Sequence, residues 1–120
     1  MKTCVMLYVS NVEESAEFWL KYFDFSFKES FDLGETKSIV ISDGQSFSMQ
    51  FFQVDFIKVV SPMVSLETPS IMFTVDDFEA LRQKLLADGF FVGEVQKQGT
   101  TSVCNFQDNE GRYFAMSSQG

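Results

Sequence analysis

Hydrophobic residues in the first half of the chain follow two different spacings. Residues 4–9, CVMLYV, form a short apolar run typical of a strand that is buried on both faces. From Asn11 the apolar positions recur every three or four residues as far as Phe23, which predicts a helix with Asn11 as its N-cap. Further apolar runs, two of them with clear alternation of apolar and polar positions, predict strands at 25–31, 37–42 and 45–53.

The same order of patterns returns after residues 54–69. That segment has no clean period and contains both prolines, so it is predicted to be a linker with one helical turn near Phe56. A strand is then predicted at 70–75, followed by a helix that Asp76 caps and Gly89 closes. Three more strands are predicted at 90–95, 100–106 and 112–117.

Each half of the chain is therefore predicted to form a strand, a helix and three further strands. The sequences of the two halves can be aligned at one constant spacing, at which Val9 corresponds to Val75. This correspondence is a weak internal repeat. A chain of 120 residues is long enough for one core. We interpret 1–120 as a single α+β domain that consists of two βαβββ modules, at approximately 1–53 and 70–120.

The formal charge limits the classes of partner. The chain carries a net charge of −8, so nucleic acid and anionic membranes are not expected to bind. An acidic surface suits a cationic ligand, although solubility alone is the more common reason for such a charge.

The two cysteines and the hydropathy indicate a reducing compartment. Cys4 and Cys104 have neither zinc-site nor CxxC spacing, and both lie in apolar runs, so buried free thiols are expected rather than a disulfide. The N-terminal apolar run is too short for a secretion signal, and no stretch is long enough for a membrane helix. The predicted location is the cytoplasm.

Residues that commonly carry catalysis are scarce. The chain contains no histidine, which removes the usual general base near neutral pH and the usual activator of a serine nucleophile. The carboxylates cluster at predicted helix caps and turns, where such groups are normally solvated. No phosphate-binding loop of the P-loop or Rossmann type is present.

Three segments carry a resemblance to a known family. Residues 7–25 and 71–89 resemble the module openings, and 106–116 resemble the closing turn and strand, of the glyoxalase/bleomycin resistance protein/dioxygenase (vicinal oxygen chelate) superfamily. Two positions depart from the usual pattern, because Asp24 replaces a glycine and Asn109 replaces a proline. The resemblance implies that each module curls its sheet into a half-barrel, with the helix on the convex face and a ligand in the concave one.

The resemblance also locates a metal site that this chain does not reproduce. Metal-dependent members hold a divalent ion with four side chains, typically His and Glu, and these positions correspond here to Cys4, Gln50, Ser70 and Ala115. A first-row divalent cation needs imidazole, thiolate or carboxylate ligands around one point, and this set does not supply them. No metal and no other cofactor are therefore expected.

A ligand pocket is predicted at the same positions. Strand alternation directs residues two positions apart to the same face. The predicted lining is therefore mixed aromatic, apolar and polar, as in pockets for organic ligands. An equally good interpretation is that these side chains fill a solid core or a dimer seam. The predicted ligand-binding residues are Cys4, Tyr8, Gln50, Phe52, Ser70, Met72, Tyr113 and Ala115.

Three functions are consistent with the sequence. The favoured one is a non-catalytic small-molecule binder similar to drug-sequestering members of the family, with an organic ligand that is neutral or cationic and at least partly aromatic. The alternatives are a lyase, isomerase or dioxygenase of the same superfamily, and a scaffold domain for a protein partner. A homodimer is expected because modules in this family commonly pair across a two-fold axis and because aromatic residues make up 16% of the chain.

Overall fold

The structure, a computed structural model, describes residues 1–119 and divides into two compact units. The first unit is Met1–Thr68 and the second begins at Pro69. The first contains β1 (Thr3–Val9), α1 (Val12–Tyr22), β2 (Ser26–Asp32), β3 (Lys37–Ser42), β4 (Phe47–Gln53) and α2 (Val54–Val60). The second contains β5 (Met72–Val75), α3 (Phe78–Ala87), β6 (Gln96–Gln98), β7 (Thr101–Gln107) and β8 (Tyr113–Ser118).

Both units have the same sheet topology. The strand orders are β1-β4-β3-β2 and β5-β8-β7-β6, and in each sheet the first two strands in that order are parallel while the other pairs are antiparallel. The helix after the first strand provides the crossover that a parallel pair requires. The predicted α+β fold of two βαβββ modules is thus confirmed.

Helix α1 begins and ends where its sequence signals predict. The Asn11 side chain accepts a hydrogen bond from the Glu14 backbone N–H at 3.0 Å, and Glu13 and Glu14 lie in the first turn, where the helix dipole favours negative charge. The helix ends at Tyr22, and Phe23 is already extended.

An aromatic cluster joins α1 to its sheet. Trp19 is fully buried, its ring centroid lies 4.9 Å from that of Phe23, and Phe18 meets Trp19 edge-on at 5.4 Å. On the sheet, the buried Met49 and Phe51 belong to β4, which α1 contacts together with β3. Large rings at such separations add attractive ring–ring terms to simple burial, so this cluster is the core of the first unit.

Helix α3 differs from its prediction at the start and agrees at the end. Its N-cap is Asp77, which accepts from the Ala80 N–H at 3.1 Å, so the prediction of Asp76 was one residue early. Gly89 has φ of +88°, and the N–H groups of Gly89 and Phe90 donate to the carbonyls of Leu86 and Leu85 respectively. This pattern is a Schellman motif, in which glycine tolerates the left-handed backbone.

Three predicted elements were wrong or incomplete. Residues 90–95 form no strand and contribute one isolated bridge, Val92 to Phe106, whereas β6 lies between the strands that were predicted at 90–95 and 100–106. Strand β1 is buried on one face only, because Met6 is 50% exposed. The predicted single helical turn in the linker is the seven-residue helix α2, capped by the Gln53 side chain. Within residues 1–119, none of the helices is long and apolar enough to cross a membrane.

Candidate functional site

Helix α1 covers one face of the first sheet, and the opposite face is partly exposed along β1 and β4. Leu7 and Phe51 are partners in the parallel register and both are buried, which assigns them to the covered face. Their neighbours Tyr8 and Phe52 are also partners and are only partly buried, so they lie on the opposite side. We call this opposite side the first open face.

Tyr8 and Phe52 form an aromatic pair on the first open face. Their ring centroids are 6.1 Å apart with an interplanar angle of 35°. Met6, on the same face of β1, is 50% exposed. These side chains present two aromatic rings and a thioether, which can contact a planar or apolar molecule.

A polar group beside this pair is held in a fixed orientation. The Gln50 Nε2 donates to Ser38 Oγ at 3.0 Å, and Ser38 Oγ donates to the carbonyl oxygen of Phe51 at 2.9 Å. Ser38 is fully buried. The Gln50 carboxamide is therefore restrained by a buried hydroxyl rather than free to rotate, and its oxygen is available to accept a hydrogen bond.

The second sheet repeats the arrangement. Phe114 and Met116 on β8 are buried on the face that α3 packs against, whereas Tyr113 is 59% exposed and Ala115 is half-buried on the opposite side. Met72, the strand partner of Ala115, is 52% exposed. This side, which we call the second open face, is again apolar and aromatic.

Two residues of the second open face were missed in the sequence interpretation. Phe91 meets Tyr113 edge-on with centroids 5.9 Å apart, and Asn105 is the strand partner of Ala115. On the same side of the first sheet, the buried Ser38 and Val40 of β3 were missed in the same way. The only signal for these residues is the register between neighbouring strands, which cannot be determined from the order of residues along the chain.

The eight predicted site residues fall into two groups and one exception. Cys4, Tyr8, Gln50 and Phe52 share the first open face, and Met72, Tyr113 and Ala115 share the second. Ser70 precedes β5 and is exposed, outside the strand to which it was assigned. That these residues bind a ligand stays a prediction.

The prediction that both cysteines are buried was wrong for Cys4. Both cysteines are free thiols, but Cys4 is exposed and Cys104 is buried. Partial burial raises the pKa of the Cys4 thiol, and the nearby positive charge of Lys28 opposes that rise. Cys4 is therefore a protonated thiol at neutral pH.

The residues at the superfamily's metal positions do not fit a metal ion. Cys4 supplies one thiol, which alone cannot hold a divalent ion. The Gln50 amide nitrogen donates to Ser38, and Ala115 has no donor atom. Across residues 1–119, no three side chains of His, Cys, Asp or Glu gather in a group that could hold a metal.

The fold and the two open faces together define a two-module α+β protein of the glyoxalase/bleomycin resistance type. The sequence profile of the Glyoxalase/Bleomycin resistance protein/Dioxygenase superfamily matches residues 3–116, so the chain belongs to this superfamily. Among curated proteins, no match to the chain is found.

Solved structures with this fold have diverse functions. TnmS3, an antibiotic binding protein from Streptomyces sp. CB03234, is similar with a TM-score of 0.78 at 14% identity, over 100% of this chain and 96% of that chain. The oxidase ChaP-H2 gives 0.74 at 12% identity, over 100% and 94%. Lactoylglutathione lyase from Agrobacterium tumefaciens gives 0.73 at 12% identity, over 98% and 92%. At these identities the similarity establishes the fold alone.

Proposed function

We propose that the protein is a non-catalytic binder of a small organic ligand that is at least partly aromatic or apolar. The observation that carries the proposal is the exposure of apolar side chains on the open faces, where Met6, Met72 and Tyr113 are each at least half exposed. Exposed large apolar groups on one face commonly mark a binding surface.

The aromatic pairs support a flat ligand. Tyr8 with Phe52, and Phe91 with Tyr113, each present ring surface beside polar groups such as the restrained Gln50 amide. Rings bind planar molecules by stacking or edge contacts, and a few fixed polar groups then set the orientation. The similarity to an antibiotic binding protein is consistent with such a ligand.

A lyase, isomerase or dioxygenase function is the alternative, and it rests on the fold that the chain shares with an oxidase and a lactoylglutathione lyase. The residues at the family's metal positions argue against a metal-dependent enzyme, because Gln50 and Ala115 replace the charged or imidazole ligands that such chemistry needs. With zero histidines, the usual proton-transfer group is missing too.

A thermal-shift screen of planar aromatic compounds, in cationic, neutral and anionic versions, tests the proposal. A compound that binds only the folded state raises the unfolding temperature. Compounds that stabilise the protein are then titrated by calorimetry against Phe52→Ala and Tyr113→Ala, with Val59→Ala as the control because Val59 is 80% exposed on α2.

We expect at least one aromatic variant to weaken binding and the control to leave it unchanged. A screen without any stabilising compound, or affinities that are equal in all three variants, would contradict the proposal. Enzyme assays with and without added metal separate the alternative function, since only that function predicts turnover.

A further inference from the structure

We propose that the first unit contains a separate binding site for a small oxyanion, such as phosphate, sulfate or the carboxylate of a larger ligand. A cavity of about 450 Å³ lies at the end of the sheet where β1, β2 and the β3–β4 turn meet. Its lining contains two lysines, four serines and no carboxylate, and the residues that carry the argument are Lys2, Lys28, Ser42, Gln45, Ser46 and Ser48.

The two lysines are not neutralised within the protein. Neither Lys2 nor Lys28 forms an ion pair among residues 1–119, whereas Lys37, for example, lies 3.2 Å from Glu13. These two lysines line one cavity in a chain with nine basic and 17 acidic residues. Their charge is left available to an external anion.

A β-bulge directs Lys28 towards the cavity. The pairing of β2 with β3 shifts register between Phe27 and Glu29, so Lys28 is the extra residue. Strict alternation would send Phe27 and Lys28 to opposite faces, yet both line the cavity. Bulges commonly re-aim a side chain in this way near functional sites.

The hydroxyl groups supply neutral donors. Ser42 Oγ accepts from the Gly44 N–H at 3.0 Å and so keeps its own proton for donation. The side-chain hydroxyls of Ser46 and Ser48 make no hydrogen bond within the described part of the chain. Ammonium and hydroxyl donors around one space are the usual requirement of an oxyanion.

Two negative contributions oppose the site without cancelling it. Asp43 lies in the adjacent turn but does not line the cavity, and its Oδ1 accepts hydrogen bonds from the N–H groups of Gln45 and Phe47 at 2.8 and 3.2 Å, which partly compensate its charge. The net charge of −8 acts mainly at long range. At physiological ionic strength it is screened beyond about 8 Å, so the adjacent lysines dominate inside the cavity.

Nuclear magnetic resonance with inorganic phosphate tests the site. The protein labelled with ¹⁵N is titrated with sodium phosphate at pH 7, and sodium chloride keeps the ionic strength constant. We expect saturable shifts of the amide signals of Gly44, Gln45 and Ser46. In the double variant Lys2→Gln/Lys28→Gln we expect affinity to fall by about tenfold or more, since two charge contacts are removed.

The matched control is Lys58→Gln/Lys97→Gln, which changes the net charge by the same amount at exposed lysines outside the cavity. It should bind phosphate as the natural chain does. Shifts that do not saturate, or an equal response of the two double variants, would overturn the proposal. Because the site is independent of the aromatic pairs, its failure would leave the aromatic-ligand titrations unaffected.

Discussion

Asp43 and Asp108 occupy the same place in two hairpins, and their pKa values are displaced in opposite directions. Each Oδ1 accepts the backbone N–H groups two and four residues later, at 2.8 and 3.2 Å for Asp43 and at 2.9 and 2.9 Å for Asp108. The two differ in burial: Asp43 is exposed, whereas Asp108 is 3% exposed and its Oδ2 accepts no hydrogen bond within residues 1–119. The same turn geometry therefore carries a solvated carboxylate in one unit and a desolvated one in the other.

Asp43→Asn should destabilise the protein at neutral pH, and this destabilisation should disappear in acid. Hydrogen bonds from the Gln45 and Phe47 N–H groups hold the pKa of Asp43 below its ordinary value of 3.8. A depressed folded-state pKa gives stability that is present above the unfolded pKa and lost as pH falls through the folded one. Urea unfolding from pH 7 to pH 2 should show the two proteins converging at the acid end. A difference that is constant across this range would contradict the assignment.

Asp108→Asn should show the reverse trend. Burial raises the pKa of Asp108 above its ordinary 3.8, although the N–H groups of Arg112 and Glu110 and the Arg112 charge oppose the rise. The folded state thus prefers the protonated acid. The contribution of Asp108 to the stability of the fold is therefore fully present below the pKa of the unfolded state, and it is lost as pH rises through the pKa of the folded state. The unfolding free energy of the variant, minus that of the natural chain, should increase over this window. Asparagine keeps an oxygen for the two N–H bonds, which makes the comparison specific for charge.

The fold was predictable because its local signals agree with its topology. Asn11 as a cap and Gly89 as a helix stop can each be recognised from the sequence, and the repeat of patterns predicts the architecture.

The error at 90–95 has a specific cause. The backbone at Gly93 approaches β7 closely, with its N–H 2.8 Å from the Asn105 carbonyl oxygen, but no regular ladder continues from it. Strand β6 is polar and exposed and turns at Gly99, so it has no hydrophobic pattern to detect.

The candidate site was less accessible to sequence reasoning than the fold. Alternation along single strands identifies which residues share a face, as for Tyr8 and Phe52. Neighbours on other strands, such as Ser38 beneath Gln50, depend on register, and register is set by the whole sheet. The lysine cavity was missed for a related reason, because the bulge at Lys28 breaks the alternation used to assign faces.

Purified protein titrated with zinc or nickel should show no stoichiometric binding. The residues at the family's metal positions include Ala115, which has no donor atom, and Cys4 is the one residue among them that could supply a strong ligand. Elemental analysis of the purified protein, followed by calorimetric titration, measures this directly. One tightly bound ion per chain would show that other side chains form a metal site.

The two thiols should differ in reactivity towards a thiol reagent such as dithionitrobenzoate. Cys4 is exposed and should react in the folded protein, although slowly, because partial burial raises its pKa and lowers the thiolate fraction. Cys104 is buried, burial raises its pKa as well, and it should react only on unfolding. Cys4→Ser should therefore remove the reaction of the folded protein. Equal rates for both thiols would contradict the burial of Cys104.

Ala115→Trp should abolish binding of an aromatic ligand and preserve the fold. Ala115 lies between Met72 on β5 and Asn105 on β7, in the middle of the second open face. An indole there would cover the surface beside Tyr113, while the buried Phe114 and Met116 on the other face would keep their packing.

The matched control is Ala80→Trp on the exposed side of α3, which adds the same indole elsewhere. Calorimetry with a compound that stabilises the natural chain should show binding to the control and none to Ala115→Trp, with both variants unfolding at similar temperatures. Unchanged binding by Ala115→Trp would exclude the second open face as the ligand site, and loss of binding in both variants would show that the effect of tryptophan is not local.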